Sequence, residues 1–310
     1  MTNVNAETEA RATRRPRRGR ISAGKLFGWI ILVLILVISL FPFWWMVKVA
    51  ITHNANVYGD FGLWPKIATL VNFKRVLGTA TAAEQQAEMP NQLTHLNFFL
   101  NLVNSVIFTA VVSCVSVATS SLAAFAFSRL KWRFRNVVFN VFLCGLMIPP
   151  IFGVLPNFLL MKQLGWMYTW QGLLAPYLLC SPFCIFFLRQ FFLNIPEEIE
   201  EAARLDGVNQ WGLFRHVCLP MNTAPIATLL IIQAVFAWSE YMWPQLITHG
   251  QTAQVMTVAL ASFVFNTPGT SRDWTGFMAA ATLTVIPLVI LMLAFGRTLV
   301  TNLQLGTSGK

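Results

Sequence analysis

Apolar stretches long enough to cross a bilayer recur along this chain, at Leu26 to Val47 and then at 98–127, 137–161, 167–188, 222–247 and 276–296. A helix rises ~1.5 Å per residue and a hydrocarbon core is ~30 Å thick, so about twenty apolar residues suffice to span it. The composition agrees: 56% of residues are hydrophobic and 11% charged, where soluble domains carry about a quarter charged. The expected fold class is an all-α polytopic membrane protein with six transmembrane helices. It divides into a basic tail (1–25), a first span (26–48), an external segment (49–97) and a helical core (98–306).

The first run follows an Arg-rich stretch, as a secretory signal would. Signal cores span about 7 to 15 residues and end at small residues, whereas this run ends in Phe43-Trp44-Trp45-Met46, the mark of an uncleaved anchor. The net charge of +10 invites a nucleic-acid reading, but its placement points to the membrane. Arg11, Arg14, Arg15, Arg17, Arg18, Arg20 and Lys25 precede the first run, and Arg129, Lys131, Arg133 and Arg135 fill one short link. Excess basic residues mark cytoplasmic loops. Six crossings then put both termini, the 128–136 link and the 189–221 link inside, with membrane lipids and no nucleic acid as the contact of these charges. Residues 1–20 lack apolar periodicity and are expected to be a disordered tail.

Cys114, Cys144, Cys180, Cys184 and Cys218 form no Cys-x-x-Cys and no metal-like group with the histidines. They are expected in helices or near the cytoplasmic side as small apolar residues; Cys180 and Cys184 share a face at i, i+4 if one helix holds both. Pro149, Pro150 and Pro156 are expected to kink the third run. Such a kink serves a hinge or plain packing equally well.

One link is rich in acid. Residues 194–220 contain Glu197, Glu198, Glu200, Glu201 and Asp206, with Pro196 ahead and Gly207 behind. A proline start, acidic residues at the positive end of the helix dipole and a glycine stop specify a helix of about ten residues. A second short helix is expected from about Asn209 to His216. A helix that short is marginal alone and needs something to dock on. Ala202 and Ala203 offer a flat face, and Glu201, Arg204 and Asp206 offer charge at its rim. An ordinary amphipathic surface loop is the plain alternative.

Glu201-Ala202-Ala203, Gly207 after it, and then Val217, Leu219 and Pro220 resemble the EAA loop of ABC importer permeases. Further matches follow in order: Trp64-Pro65, Asn72-Phe73, Asn104-Ser105, Phe125-Ala126-Phe127-Ser128-Arg129, Met147-Ile148-Pro149, Leu164-Gly165 and Trp238-Ser239-Glu240. They resemble the carbohydrate, MalG-type branch and cover nearly everything after residue 26. Val217 stands where isoleucine is common, the 78–97 stretch looks longer than usual, and the 297–306 tail lacks the family's Gly-Leu-Thr.

The resemblance implies a permease of a bacterial inner membrane, working beside a second permease, an ATPase homodimer and an extracytoplasmic sugar-binding protein. It implies that Glu201, Ala202, Ala203, Arg204, Asp206, Gly207, Leu219 and Pro220 couple the chain to the ATPase, which carries ATP and Mg. No Gly-x-x-x-x-Gly-Lys-[Ser/Thr] occurs, so no cofactor and no catalytic or metal site is expected on this chain. Glu240, between Trp238 and Tyr241, is the clearest ionisable residue at membrane depth. Together with Trp238 and Tyr241 it either contacts solute along the pathway or anchors the helix at the interface. The last external loop, Phe265 to Trp274, resembles the element that reaches into the binding protein, and its Asn-Thr-Pro-Gly is also plain turn chemistry. An ion-coupled secondary transporter, with charges and broken helices at mid-membrane, and a non-transporting scaffold are the other classes. Which sugar, polyol or glycerol phosphate is carried stays open.

Overall fold

The computed structural model describes residues 23–88, 96–248, 253–265 and 272–305, and every long element among them is a helix. Two units divide at 46/47. The first belongs to α1 (Ala23–Ala50), whose side chains from Leu26 to Phe43 are exposed around the whole circumference. An all-round apolar helix of this kind is at home in lipid, which also tolerates the internal Pro42.

The second unit is built on α4 (Phe98–Ser128), 31 residues long. One stripe of it, including Asn101, Asn104, Ser105, Ser113, Ser120 and Ser121, is buried. Helices in lipid gain no hydrophobic driving force from each other, so small and polar faces that permit close approach hold them together. Ser113 and Ser121 return their hydroxyls to backbone carbonyls at 2.7 Å. Asn104 and Ser105 instead reach another segment: Asn104 Nδ2 donates to the Gln254 carbonyl at 2.9 Å, and Ser105 Oγ accepts from the Met256 amide at 2.7 Å. These two residues thereby place the start of α14 (Met256–Phe265).

Three of the expected runs are broken. The run at 137–161 is two helices, α5 (Arg135–Gly145) and α6 (Ile151–Gln163), separated at 146–150 where Pro149 and Pro150 withdraw two donors. The run at 167–188 is α7 (Trp170–Leu174) with a 3-10 turn to Tyr177, then α8 (Pro182–Leu193) at 44°. Cys180 lies in that break, so it does not share a helix with Cys184. The run at 222–247 is α12 (Thr223–Ser239) and α13 (Met242–Thr248), parted by an extended Glu240 with ψ 128°. The last helix, α15 (Trp274–Leu305), extends past the expected 296. Among the described residues three helices qualify as spans by length and hydropathy, or up to five if each bent pair is one.

The 49–97 segment mixes aromatic and turn residues such as Leu63-Trp64-Pro65 with a polar Ala/Gln/Glu stretch, a pattern that predicts a capping element at most; the structure anchors it by buried charge. It contains α2 (Val71–Val76) and α3 (Ala82–Glu88). Lys48 Nζ donates to the Asp60 carbonyl at 2.5 Å, and Asn72 Nδ2 donates to the Ala50 and Thr52 carbonyls at 2.9 Å. The amide of Lys66 above all, then that of Gly62 and the Lys48 charge, hold the Asp60 carboxyl below its ordinary range. Arg75 Nη2 meets Asp273 Oδ2 at 2.5 Å with side chains 2% and 0% exposed, and Asp273 Oδ1 also accepts from the Gly276 amide, at 2.8 Å. Removing one partner of a buried pair costs about 3–5 kcal/mol. Asp273→Ala is therefore expected to lower the thermal midpoint of the detergent-purified protein clearly, whereas Lys74→Ala, which breaks the exposed pair with Glu84, is expected to leave it nearly unchanged. Residues 1–22, 89–95, 249–252, 266–271 and 306–310, which hold most of the basic tail, part of the 78–97 stretch and most of the last external loop, lie outside the described residues, as do the side chains of 297–305.

Candidate functional site

The acidic link folds into α9 (Glu197–Leu205), with acidic residues in its first turn and Arg204 in its last. Gly207, at φ +80°, turns the chain left-handed. The amides of Gly207 and Val208 close the end by donating to the Arg204 and Ala203 carbonyls, each at 3.0 Å. The next helix, α10 (Gln210–Leu213), is capped by Asn209 Oδ1, which accepts from Gly212 at 2.8 Å. It gives way to a π-turn over Phe214–Cys218 instead of continuing as one helix to His216, then α11 (Leu219–Met221). With α10, this stretch meets α12 at 78°.

This handle is docked on its own chain. Leu213, Phe214 and Cys218 are buried with Phe125, Leu188, Phe192 and Leu229, and Ala203, Val217 and Leu219 pack against that cluster. The expected two-alanine face is thus split: Ala203 faces inward, while Ala202, Glu201, Asp206 and Gly207 are exposed. Leu205 is the most outward apolar residue of the handle, at 89% exposure. Pro220, exposed, is the second residue of the last short turn.

The residue that fixes the handle was legible only as part of a motif. Arg129, at the end of α4, sets Nε 3.1 Å from Glu200 Oε1, with side chains 7% and 11% exposed. Its Nη2 donates to the Ile195 carbonyl at 2.6 Å and also to that of Phe192. One guanidinium therefore holds the end of α8 and the start of α9 to α4. Glu200 also faces Arg204 at 3.6 Å. A planar fork with several fixed donors suits this task and an ammonium does not.

At the other end of α12, about 25 Å away at 1.5 Å per residue, the helix breaks and Glu240 enters a cleft of about 400 Å³. α6 contributes Asn157, the 3-10 turn Tyr177, and α13 Trp243. Trp243 is pinned by its indole N–H to the Gly172 and Leu173 carbonyls, both at 3.2 Å. Gly172 is needed there, since a Cβ would lie 2.2 Å from the Trp166 carbonyl oxygen. The three expected pathway residues do not converge. Trp238 opens on an apolar groove with Thr109 and Pro287, Tyr241 is exposed, and only Glu240 lines the cleft. The extended backbone at Glu240 sends neighbouring side chains different ways. Asn157 and Tyr177 escaped sequence reading because their elements meet only in three dimensions. Among the described residues no three His, Cys, Asp or Glu side chains could hold a metal.

A helical handle at one end of a membrane helix and a lined cleft at the other define a multi-pass transport subunit. Residues 116–304 match the family of binding-protein-dependent transport system inner membrane components, and this chain belongs to that family. It is 31% identical over 276 residues to the trehalose/maltose transport system permease protein MalG of Thermococcus litoralis, covering 88% of this chain and 93% of that one. It is 32% identical over 206 residues to the sn-glycerol-3-phosphate transport system permease protein UgpE of Salmonella typhi, covering 66% and 73%. In fold it is similar to a chain of a bacterial ABC transporter that imports the acidic polysaccharide alginate, with TM-score 0.74, 20% identity and 91% and 99% coverage. A second alginate transporter structure, in complex with a periplasmic protein bound to an alginate pentasaccharide, gives 0.58 at 14% identity, covering 88% and 93%.

Proposed function

We propose that the chain is one permease subunit of an ATP-binding-cassette importer, forming with a second permease the pathway for a sugar delivered by an extracytoplasmic binding protein. The observation that carries this reading is the pairing of family membership with a handle locked to α4 through Arg129 and Glu200. The 31% identity to a permease named for trehalose and maltose supports a carbohydrate.

In this reading the chain crosses the inner membrane six times, α5 and α6 counting as one broken crossing, with both termini and the 194–220 loop in the cytoplasm. An ATPase homodimer carrying ATP and Mg grips the exposed side of α9 at Glu201, Ala202, Arg204, Asp206 and Gly207. Ala203 and Leu219 serve from within, holding the handle to the core, while the exposed Pro220 faces the ATPase. Closure of the ATPase then shifts the handle as one piece, and α12 carries the movement to the Glu240 end. The chain itself hydrolyses nothing.

The test is to purify the tagged chain from its own membrane in mild detergent and assay the assembly with candidate sugars and binding protein. An ATPase and a second permease are expected to co-purify, with hydrolysis raised by one sugar-loaded binding protein. A chain that stays alone under gentle extraction, with no hydrolysis, overturns the reading.

A further inference from the structure

The Glu240 cleft has a chemistry that selects among solutes. Its described lining holds a single ionisable carboxylate, Glu240, and no lysine, arginine or histidine. Among the described residues the Glu240 carboxylate engages only Oε1, at 3.4 Å from the Trp243 amide, a long contact that leaves most of its acceptor capacity for a ligand. Its backbone is held separately, the carbonyl accepting from Thr257 Oγ1 at 2.6 Å. The side chain is therefore placed by the fold without being consumed by it. No hydrogen bond among the described residues uses the Asn157 amide or the Tyr177 hydroxyl, which line the same cleft. The Tyr177 ring is fixed edge-on to Phe108 at 5.6 Å.

A carboxylate accepts from paired hydroxyls, an amide donates and accepts, a phenol does both, and aromatic walls take the C–H faces of a sugar ring. The volume, about 400 Å³, lies within the roughly 300–1,000 Å³ of small-molecule sites. In a cleft whose described lining holds no cation, a carboxylate repels a phosphate or a uronate. We infer that this cleft is a solute-contact site of the permease itself and that it takes an uncharged, polyhydroxylated solute while discriminating against anionic ones. The inference rests on the importer reading above and adds the charge class. It separates this chain from relatives and neighbours named for glycerol 3-phosphate and alginate, both anionic.

The experiment uses the full complex in proteoliposomes, with binding protein, and follows uptake of maltose, trehalose, glycerol 3-phosphate and galacturonate alongside ATP hydrolysis. The wild-type complex is expected to move a neutral solute and neither anion. Glu240→Gln keeps an acceptor for the Trp243 amide and is expected to lower neutral uptake about tenfold, the size of one charge-assisted hydrogen bond. Asn157→Ala, in the half-exposed cleft wall, is expected to raise the KM for the same solute with the maximal rate kept. Transport of an anion by the wild type overturns the inference, as does neutral uptake by Glu240→Gln within twofold of wild type; both leave the importer reading standing. A complex that hydrolyses no ATP and moves none of the solutes overturns both.

Discussion

Gly207→Val is expected to abolish uptake, by tenfold or more, in a protein that still inserts, still packs and still reaches the membrane in normal amount. Gly207 stands at φ +80° with nothing within 4 Å of where a Cβ would be, so crowding does not enter. The cost is the backbone's alone, ~1–2 kcal/mol for an L-residue there and more for a β-branched one. The chain is expected to relieve it by abandoning the turn, which releases the Val208 amide from the Ala203 carbonyl and swings α9 relative to α10. Handle and core then cease to move together, so ATP hydrolysis persists without uptake. Gly207→Asn, which accepts the left-handed region more readily than other residues, is expected to retain most uptake. Measuring uptake and hydrolysis on the same vesicles separates this from loss of protein: equal uptake by valine and asparagine variants, both at wild-type level, sinks the coupling role.

Arg129→Ala is expected to be the most damaging single change near the handle. It leaves the buried Glu200 only the looser contact to Arg204 at 3.6 Å and strips a donor from the Phe192 and Ile195 carbonyls. Breaking a buried pair costs about 3–5 kcal/mol, and the Ile195 carbonyl, left without its donor, adds about 1–3 kcal/mol where water does not reach it, while the Phe192 carbonyl keeps the Ile195 amide at 3.2 Å. Glu200→Gln keeps an oxygen at the same place and spares both carbonyls, so its loss is expected to be well under half as large. The ordering is the test: hydrogen exchange of the α9 amides should rise strongly in Arg129→Ala and modestly in Glu200→Gln. Equal protection in all three proteins would remove the lock from the mechanism.

How much of this was legible differs from element to element. The short helix 197–205 and its stop are written locally, in acidic first-turn residues, Arg204 and a glycine that alone tolerates φ +80° at low cost. The broken runs were only half legible. Prolines announced a disturbance near 149, but hydropathy averages over twenty residues and passes across breaks of two to five, such as those at 146–150 and at Glu240. The 49–97 segment read as polar turn sequence because its order comes from Arg75 with Asp273 and Lys48 with Asp60, pairs formed at a distance and without periodicity.

The same contrast runs through the site. Local chemistry in the sequence determined a helical membrane protein, the place and polarity of the handle, and the resemblance that carried its class. Tertiary structure alone decided that Ala202 and Ala203 part company, that Arg129 locks Glu200, and that Glu240 meets Asn157 and Tyr177 while Trp238 and Tyr241 turn elsewhere. Apolar periodicity and helix ends depend on neighbours a few residues away, which the sequence displays directly. A cleft or a buried ion pair depends on which distant side chains arrive together, and that follows only once α4, α6 and α12 have packed.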